Sequence, residues 1–190
     1  MFGLETSMEA VVAFAALLVS LVVFLLQQRK MIQLRKQENY LSLELSSNEV
    51  FRYEAEYGAR LEPFMEETRP GEWTPGPGDE SVAGNFYLQC LNLFEIALRL
   101  RQEGGFDPKI LGSWVIWFHA TTQSWYFRAQ WPELRENYTD VLRDVFDEPV
   151  ERYDEFAGDE ERRAYFFGHV AKVMDCKIVR KWLKDLERKS

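Results

Sequence analysis

The sequence has few of the side chains that most often carry out chemistry, with two histidines and two cysteines among 190 residues. It contains no dinucleotide-binding G-x-G-x-x-G, no phosphate-binding G-x-x-x-x-G-K-[ST], no zinc-binding H-E-x-x-H and no nucleophile-carrying G-x-S-x-G. The glycine pair at 104–105 follows a helical pattern rather than a strand, so it predicts the end of a helix. We therefore predict that the protein is not an enzyme and has no catalytic, cofactor-binding or metal-binding residues.

Two weaker hypotheses for chemistry are weighed against this prediction. His119 lies in an almost wholly apolar helical stretch, which is more typical of a core histidine than of a general base. The acidic residues between 154 and 161 offer carboxylates for a cation, but they lack the ligand spacing and the central glycine of a calcium loop. A solvated acidic loop is the favoured interpretation.

The two cysteines show no metal-binding or redox spacing. Cys90 and Cys176 lie far apart, and each falls within a helical apolar pattern. A disulfide and two buried free thiols are both compatible with this, and free thiols in a reducing compartment are favoured.

Positive charge is also scarce. The 23 Lys and Arg are outnumbered by 31 Asp and Glu, which gives a net charge of −8 and a pI of about 5.0. Nucleic-acid binding normally needs a basic surface, so we predict no nucleic-acid partner.

One long hydrophobic run is present. Residues 10–26 read AVVAFAALLVSLVVFLL, with Ser20 as the only polar residue. At about 1.5 Å per residue, the run reaches the lower limit for crossing a bilayer core of about 30 Å. A cleaved signal peptide is the alternative, but the preceding flank carries Glu5 and Glu9 without any Lys or Arg, and no small-residue cleavage pattern follows. The run therefore predicts a retained transmembrane helix. Its lack of histidine and charge argues against a pigment ligand or an ion path.

The residues that follow the run predict its orientation. Basic residues near the end of a span stay cytoplasmic and contact the membrane surface, and here they are Arg29, Lys30, Arg35 and Lys36. We therefore place residues 1–9 outside a bacterial inner membrane and residues 27–190 in the cytoplasm.

A small-residue packing face is predicted within the span. Ala13, Ala16 and Ser20 follow one another at three- and four-residue spacing, which suits close helix–helix contact. Chance composition explains the same pattern equally well, because alanine is common in such helices.

The remaining sequence is predicted to be all-α, since no segment alternates apolar and polar residues as a strand would. Residues 27–68 predict a membrane-proximal helical arm, in which Ser47-Asn48 starts a second helix that ends near Gly58. A Pro/Gly-rich loop covers residues 69–81, and residues 82–190 predict a cytoplasmic bundle of about four principal helices. These helices are expected at about 82–103, 108–130, 134–146 and 159–188.

The stretch 114–131, WVIWFHATTQSWYFRAQW, contains four of the six tryptophans. On a helix its apolar residues cover most of the circumference, which predicts the central helix of the bundle. Trp131-Pro132 predicts the end of that helix. The part of this stretch that remains exposed is predicted to form a partner-docking surface of Trp125, Arg128 and Trp131, with Trp131 facing outward.

Residues 91–146 carry a family resemblance. The features are the pair Phe94-Glu95, the turn from Gly104 to Pro108, and the series Trp131, Arg135 and Tyr138. Together they resemble a loosely defined group of bacterial single-pass membrane proteins of unknown function, the DUF4760-like group. The resemblance covers about a third of the chain and implies an N-terminal anchor followed by a cytoplasmic helical domain, with no activity attached to it.

Three functions are compatible with these features. The first is a non-catalytic accessory or assembly subunit of a larger membrane complex, such as a photosynthetic or respiratory one, that contacts other subunits. The second is a membrane-tethered sensor or effector in stress or defence signalling that self-associates. The third is a membrane-associated enzyme that uses His119 or the acidic loop. The first is the favoured hypothesis.

Overall fold

A computed structural model describes the backbone of residues 2–187 and the side chains of residues 8–185. Within that part of the chain every regular element is helical, so the all-α prediction is confirmed. The predicted extracytoplasmic segment 1–9 includes Met1, which lies outside the described residues. The predicted last helix includes residue 188, which also lies outside them. The helices are α1 (Phe2–Met65), α2 (Asp79–Gln102), α3 (Pro108–Gln123), α4 (Trp125–Leu134), α5 (Asp140–Glu151), α6 (Asp159–Val173) and α7 (Lys177–Glu187), with 3-10 turns at Arg135–Asn137 and Tyr153–Glu155.

The described chain divides into two units, one up to Glu38 and one from Asn39 onward. In the first unit, every described side chain from Met8 to Glu38 is exposed. This part of α1 includes a stretch long and apolar enough to cross a membrane, as judged by length and composition. Exposure of a continuous apolar surface along a helix is typical of a segment solvated by lipid. The predicted packing residues Ala13, Ala16 and Ser20 and the basic residues Arg29, Lys30, Arg35 and Lys36 all belong to it.

In the second unit, α1 contributes a regular inward stripe. Its members follow one another at alternating four- and three-residue intervals, the spacing by which a helix keeps one face against a neighbour. All are buried except Glu54 and Tyr57, which are half-buried; the stripe is Leu43, Ser47, Val50, Glu54, Tyr57, Leu61 and Phe64. Because this stripe is uninterrupted, α1 continues to Met65. The predicted start at Ser47-Asn48 and end near Gly58 are wrong.

The turn between α2 and α3 forms as predicted. Gly104 has a φ of 74°, the left-handed geometry that glycine adopts easily after a helix. Asp107 caps α3 by accepting a hydrogen bond from the Lys109 N–H at 2.7 Å, and Pro108 occupies the first helical position.

The predicted helix 108–130 is wrong, because it is two helices that meet at Ser124. The Ser124 hydroxyl accepts a hydrogen bond from the Phe127 N–H at 3.0 Å and thereby caps the start of α4. The same hydroxyl donates to the Phe64 carbonyl near the end of α1, at 2.7 Å. The predicted break at Trp131-Pro132 is also wrong, since α4 runs to Leu134. Pro132 lacks a backbone N–H and so removes one helical hydrogen bond, and α4 ends two residues later.

The start of α4 also satisfies the last carbonyls of α1. The Trp125 backbone N–H donates to the Glu66 carbonyl at 2.9 Å, and its indole N–H donates to the Pro63 carbonyl at 2.8 Å. The last carbonyls of α1, which have no partner within their own helix, therefore accept hydrogen bonds from donors at the start of α4.

The single helix predicted at 159–188 is divided by a turn at Asp175, which has a φ of 43°. Aspartate tolerates this left-handed geometry better than most residues. The turn folds α7 against α3, where Trp182 covers Gly112 so closely that a Cβ at position 112 would lie 2.5 Å from the indole.

We predict that Gly112→Ala destabilises the 39–190 unit by about 1–3 kcal/mol, because the added methyl displaces Trp182. The matched control is Gly168→Ala in α6, where a Cβ meets no atom within 4 Å. That substitution should stabilise the protein by about 0.5–1 kcal/mol through lower backbone entropy in the unfolded state. Tryptophan fluorescence during thermal unfolding of the full chain in mild detergent measures both changes. Equal effects of the two substitutions would contradict the packing described.

Candidate functional site

A polar cluster surrounds Tyr153, which is 4% exposed. The guanidinium carbons of Arg128 and Arg162 lie 3.6 Å and 4.2 Å from the centre of its ring. The Tyr153 hydroxyl donates to Gln123 Oε1 at 2.9 Å and accepts from Arg162 Nη1 at 2.7 Å. Burial raises the pKa of Tyr153, so the phenol stays protonated at neutral pH. The tyrosine ring therefore packs against two cations.

Arg128 links the end of α3 to the segment that follows α1. Its guanidinium donates to the Thr122 and Gln123 carbonyls at 2.8 Å and 2.6 Å, which otherwise have no partner at the end of α3. It also donates to the Glu67 carbonyl at 2.5 Å. Burial lowers the pKa of Arg128 from its ordinary value, yet this guanidinium remains charged at neutral pH. This predicted docking residue is therefore half-buried and already occupied by hydrogen bonds.

The predicted outward position of Trp131 is wrong. The side chain is 2% exposed, and its ring centre lies 5.4 Å from that of Phe146 in α5. Its indole N–H donates to Asp147 Oδ1 at 2.8 Å. Trp131 shares the buried side of α4 with Phe127, so the indole is taken up by the core. Of the predicted docking set, only the half-buried Trp125 and Arg128 keep exposed surface, and their docking role stays a prediction.

Two of the three features that underlie the family resemblance, Phe94-Glu95 and the series Trp131, Arg135 and Tyr138, make contacts with α5 or the residues just before it. Arg135 donates twice to Asp147, at 3.0 Å and 2.5 Å, beside the Trp131 indole. Glu95 Oε1 accepts from the Thr139 N–H at 2.7 Å, at the start of α5. Phe94 is fully buried. Each of these contacts holds helices together, which accounts for the pattern without any chemistry.

His119 is buried, as the sequence suggested. It is 6% exposed, and the Gln123 amide nitrogen lies 2.9 Å from its Nε2. Burial lowers the pKa of His119 to about 4, so the imidazole is neutral at pH 7. Both cysteines are buried and free, as expected for two buried thiols, whereas the reducing compartment stays a prediction. Among the described residues, no group of three His, Cys, Asp or Glu could hold a metal ion.

An open groove runs along α1 in the second unit, and the sequence pattern gave no sign of it. Its centre is a cavity of about 430 Å³ lined by Phe51, Glu54, Met65, Phe86, Tyr87, Trp117, Ala120 and Thr121. Phe51 and Trp117 stack at its rim with ring centres 4.9 Å apart, and Phe51 is 47% exposed. The buried Phe86 and Tyr87 form its floor. This concave aromatic surface is the feature best suited to recognise another molecule.

The groove extends in both directions along α1. A cavity of about 200 Å³ shares Phe51 and Trp117 with the central one, and its other lining residues are Glu44, Ser47, Ser113 and Trp114. A cavity of about 460 Å³ shares Glu54 and Met65, and adds Gly58, Glu62 and Glu66. Because neighbouring cavities share lining residues along α1, we treat the three adjacent cavities together as the α1 groove.

No family model matches the sequence, and no match was found among curated proteins or solved structures.

We predict that stability falls more steeply with decreasing pH in the natural protein than in His119→Gln. The pKa of His119 is about 4 when folded and 6.5 ordinarily, so the unfolded chain takes up the proton first. This costs up to about 3 kcal/mol as the pH falls from about 6.5 to about 4. Denaturant unfolding of both forms, followed by tryptophan fluorescence across this range, measures the difference. Parallel pH profiles would show that His119 is not held neutral by burial.

Proposed function

We propose that this protein is a non-catalytic accessory or assembly subunit of a larger bacterial membrane complex. Photosynthetic and respiratory complexes are candidate assemblies. Residues 10–26 anchor it as a single span in the inner membrane, with the N-terminus outside. A helical arm over residues 27–68 and a cytoplasmic bundle over residues 82–190 follow, as in the DUF4760-like group.

The single observation that carries this proposal is the α1 groove. The interior aromatic residues Phe94, Phe118 and Phe127 are fully buried, whereas Phe51 is 47% exposed and Trp117 is half-buried at an open rim. Uncovered aromatic side chains at a concave surface are typical of sites where a partner completes the packing. The groups that could perform chemistry, such as His119 and Tyr153, are buried in structural contacts instead. We therefore assign the docking role chiefly to the groove.

We predict that a photo-crosslinking benzoyl-phenylalanine placed at Phe51 captures a defined partner subunit in intact cells. The same group at Arg52 is the control, because this neighbouring side chain is 73% exposed and lies outside the groove. Mild-detergent extraction, native gels and mass spectrometry identify the captured protein. Equal capture at both positions would argue against a specific interface. Free protein alone in the gels, with no adduct at position 51, would refute the accessory role.

A second candidate is self-association through the arm, as a membrane-tethered sensor or effector. The observation that favours it is an apolar pair on the outer side of α1, Leu41 and Leu45, which are each 59% exposed and four residues apart. Such a pair suits contact with the same helix of a second copy.

If the chain self-associates in this way, crosslinking at native level in intact membranes should give dimers that Leu41→Glu/Leu45→Glu abolishes. The control Ile96→Glu changes an exposed apolar residue of α2 that is 48% exposed and should leave the dimers intact. Strict monomers in the natural protein would remove this candidate.

A further inference from the structure

The charged side chains of the α1 groove are all of one sign. Four glutamates line it and no Lys or Arg does. They are spread over its whole length, from Glu44 at one end through Glu54 at the centre to Glu62 and Glu66 at the other. The groove therefore combines an apolar aromatic centre with acidic borders.

None of these four glutamates forms an ion pair within the described part of the chain, although other glutamates do. Glu49 pairs with Arg52, and Glu67 pairs with Arg162 at 2.6 Å. Glu54 is half-buried beside Phe51 and Trp117. A positive charge supplied from outside would give Glu54 the ion-pair partner that it lacks within the described residues.

The surroundings of Glu54 suit a cation carried on an alkyl chain. Phe51 and Trp117 stack on each other, so the outer face of the half-exposed Phe51 ring is the one left to attract a guanidinium or ammonium group. The exposed part of Met65 offers an adaptable apolar surface for the methylene groups of lysine or arginine. Carboxylate, aromatic rim and thioether together recognise such a side chain better than a purely apolar one.

The length of the groove indicates what kind of molecule can bind there. From Glu44 to Met65, α1 rises about 32 Å, which matches a helix of about 20 residues rather than one small cation. Accordingly, and resting on the proposed docking function, we infer that the α1 groove binds a basic amphipathic segment of a partner protein. A Lys or Arg of that segment pairs with Glu54, and flanking basic residues face the other three glutamates.

The test uses the full chain in phosphatidylcholine nanodiscs and a fluorescent peptide of about 20 residues, with Leu at helical spacing and Lys elsewhere. Glu54→Gln/Glu62→Gln should weaken binding of this peptide about tenfold. Raising NaCl from about 50 mM to about 300 mM should weaken binding to the natural protein more than to this variant. Fluorescence anisotropy measures both effects.

The matched control is Glu49→Gln/Glu56→Gln, which removes the same charge from the same helix. At about 100° per residue, these positions lie on the side of α1 opposite the groove, and both are exposed. Peptide binding should change less than about twofold in this control. Any binding of the peptide to lipid is common to both variants, so the difference between them isolates the groove.

Three results would overturn the inference: equal weakening by the two double variants, equal binding of a peptide with Glu in place of Lys, or choline binding as tightly as the peptide. The last would mark a small-cation pocket instead. The proposed function is judged separately, by crosslinking from position 51. If a partner is captured but the groove does not prefer the basic peptide, only the inference of a basic segment is refuted. If no partner is captured and the groove shows no such preference, the docking function is refuted as well.

Discussion

The end of α1 and the start of α4 satisfy each other's hydrogen bonds, and the rest of the second unit depends on this junction. A buried helix end must find partners for its last carbonyls. Ser124 and Trp125 supply donors to Pro63, Phe64 and Glu66. The negative end of one helix thereby meets the positive end of another, which adds a favourable dipole contact. This junction ends α3 at Gln123 and fixes where α1 lies against the bundle.

The groove is a consequence of the same arrangement. The end of α1 is held by α4, and α1 packs through its inward stripe. That stripe contains a glutamate at position 54, where an apolar side chain would pack directly against the neighbouring helices. A carboxylate cannot be buried without a partner at reasonable cost. The helix therefore stays open beside Glu54, and Phe51 and Trp117 remain at the rim. The candidate interface thus lies where α1 departs from an ideal apolar stripe.

Local signals predicted the elements that they directly encode. Gly104, Asp107 and Pro108 define the turn before α3, and the helix expected at about 82–103 corresponds to α2. The breaks at Ser124 and Asp175 were missed, because a lone serine or aspartate within an apolar pattern is a weak stop signal. The continuation of α1 past Gly58 was missed because the glycine was given too much weight as a stop signal. A buried stripe outweighs the low helix propensity of one glycine.

By itself the sequence determined the all-helical class, a segment apolar enough to span a membrane, and a buried His119, since periodicity and composition are local properties. Only the tertiary structure decided that Trp131 is buried and that Phe51 is uncovered. Both follow from which helix faces meet, and that is set by contacts such as Ser124 with Phe64, 60 residues apart. Apolar residues on two sides of a helix look alike in sequence, and only the position of the neighbouring helices separates core from interface.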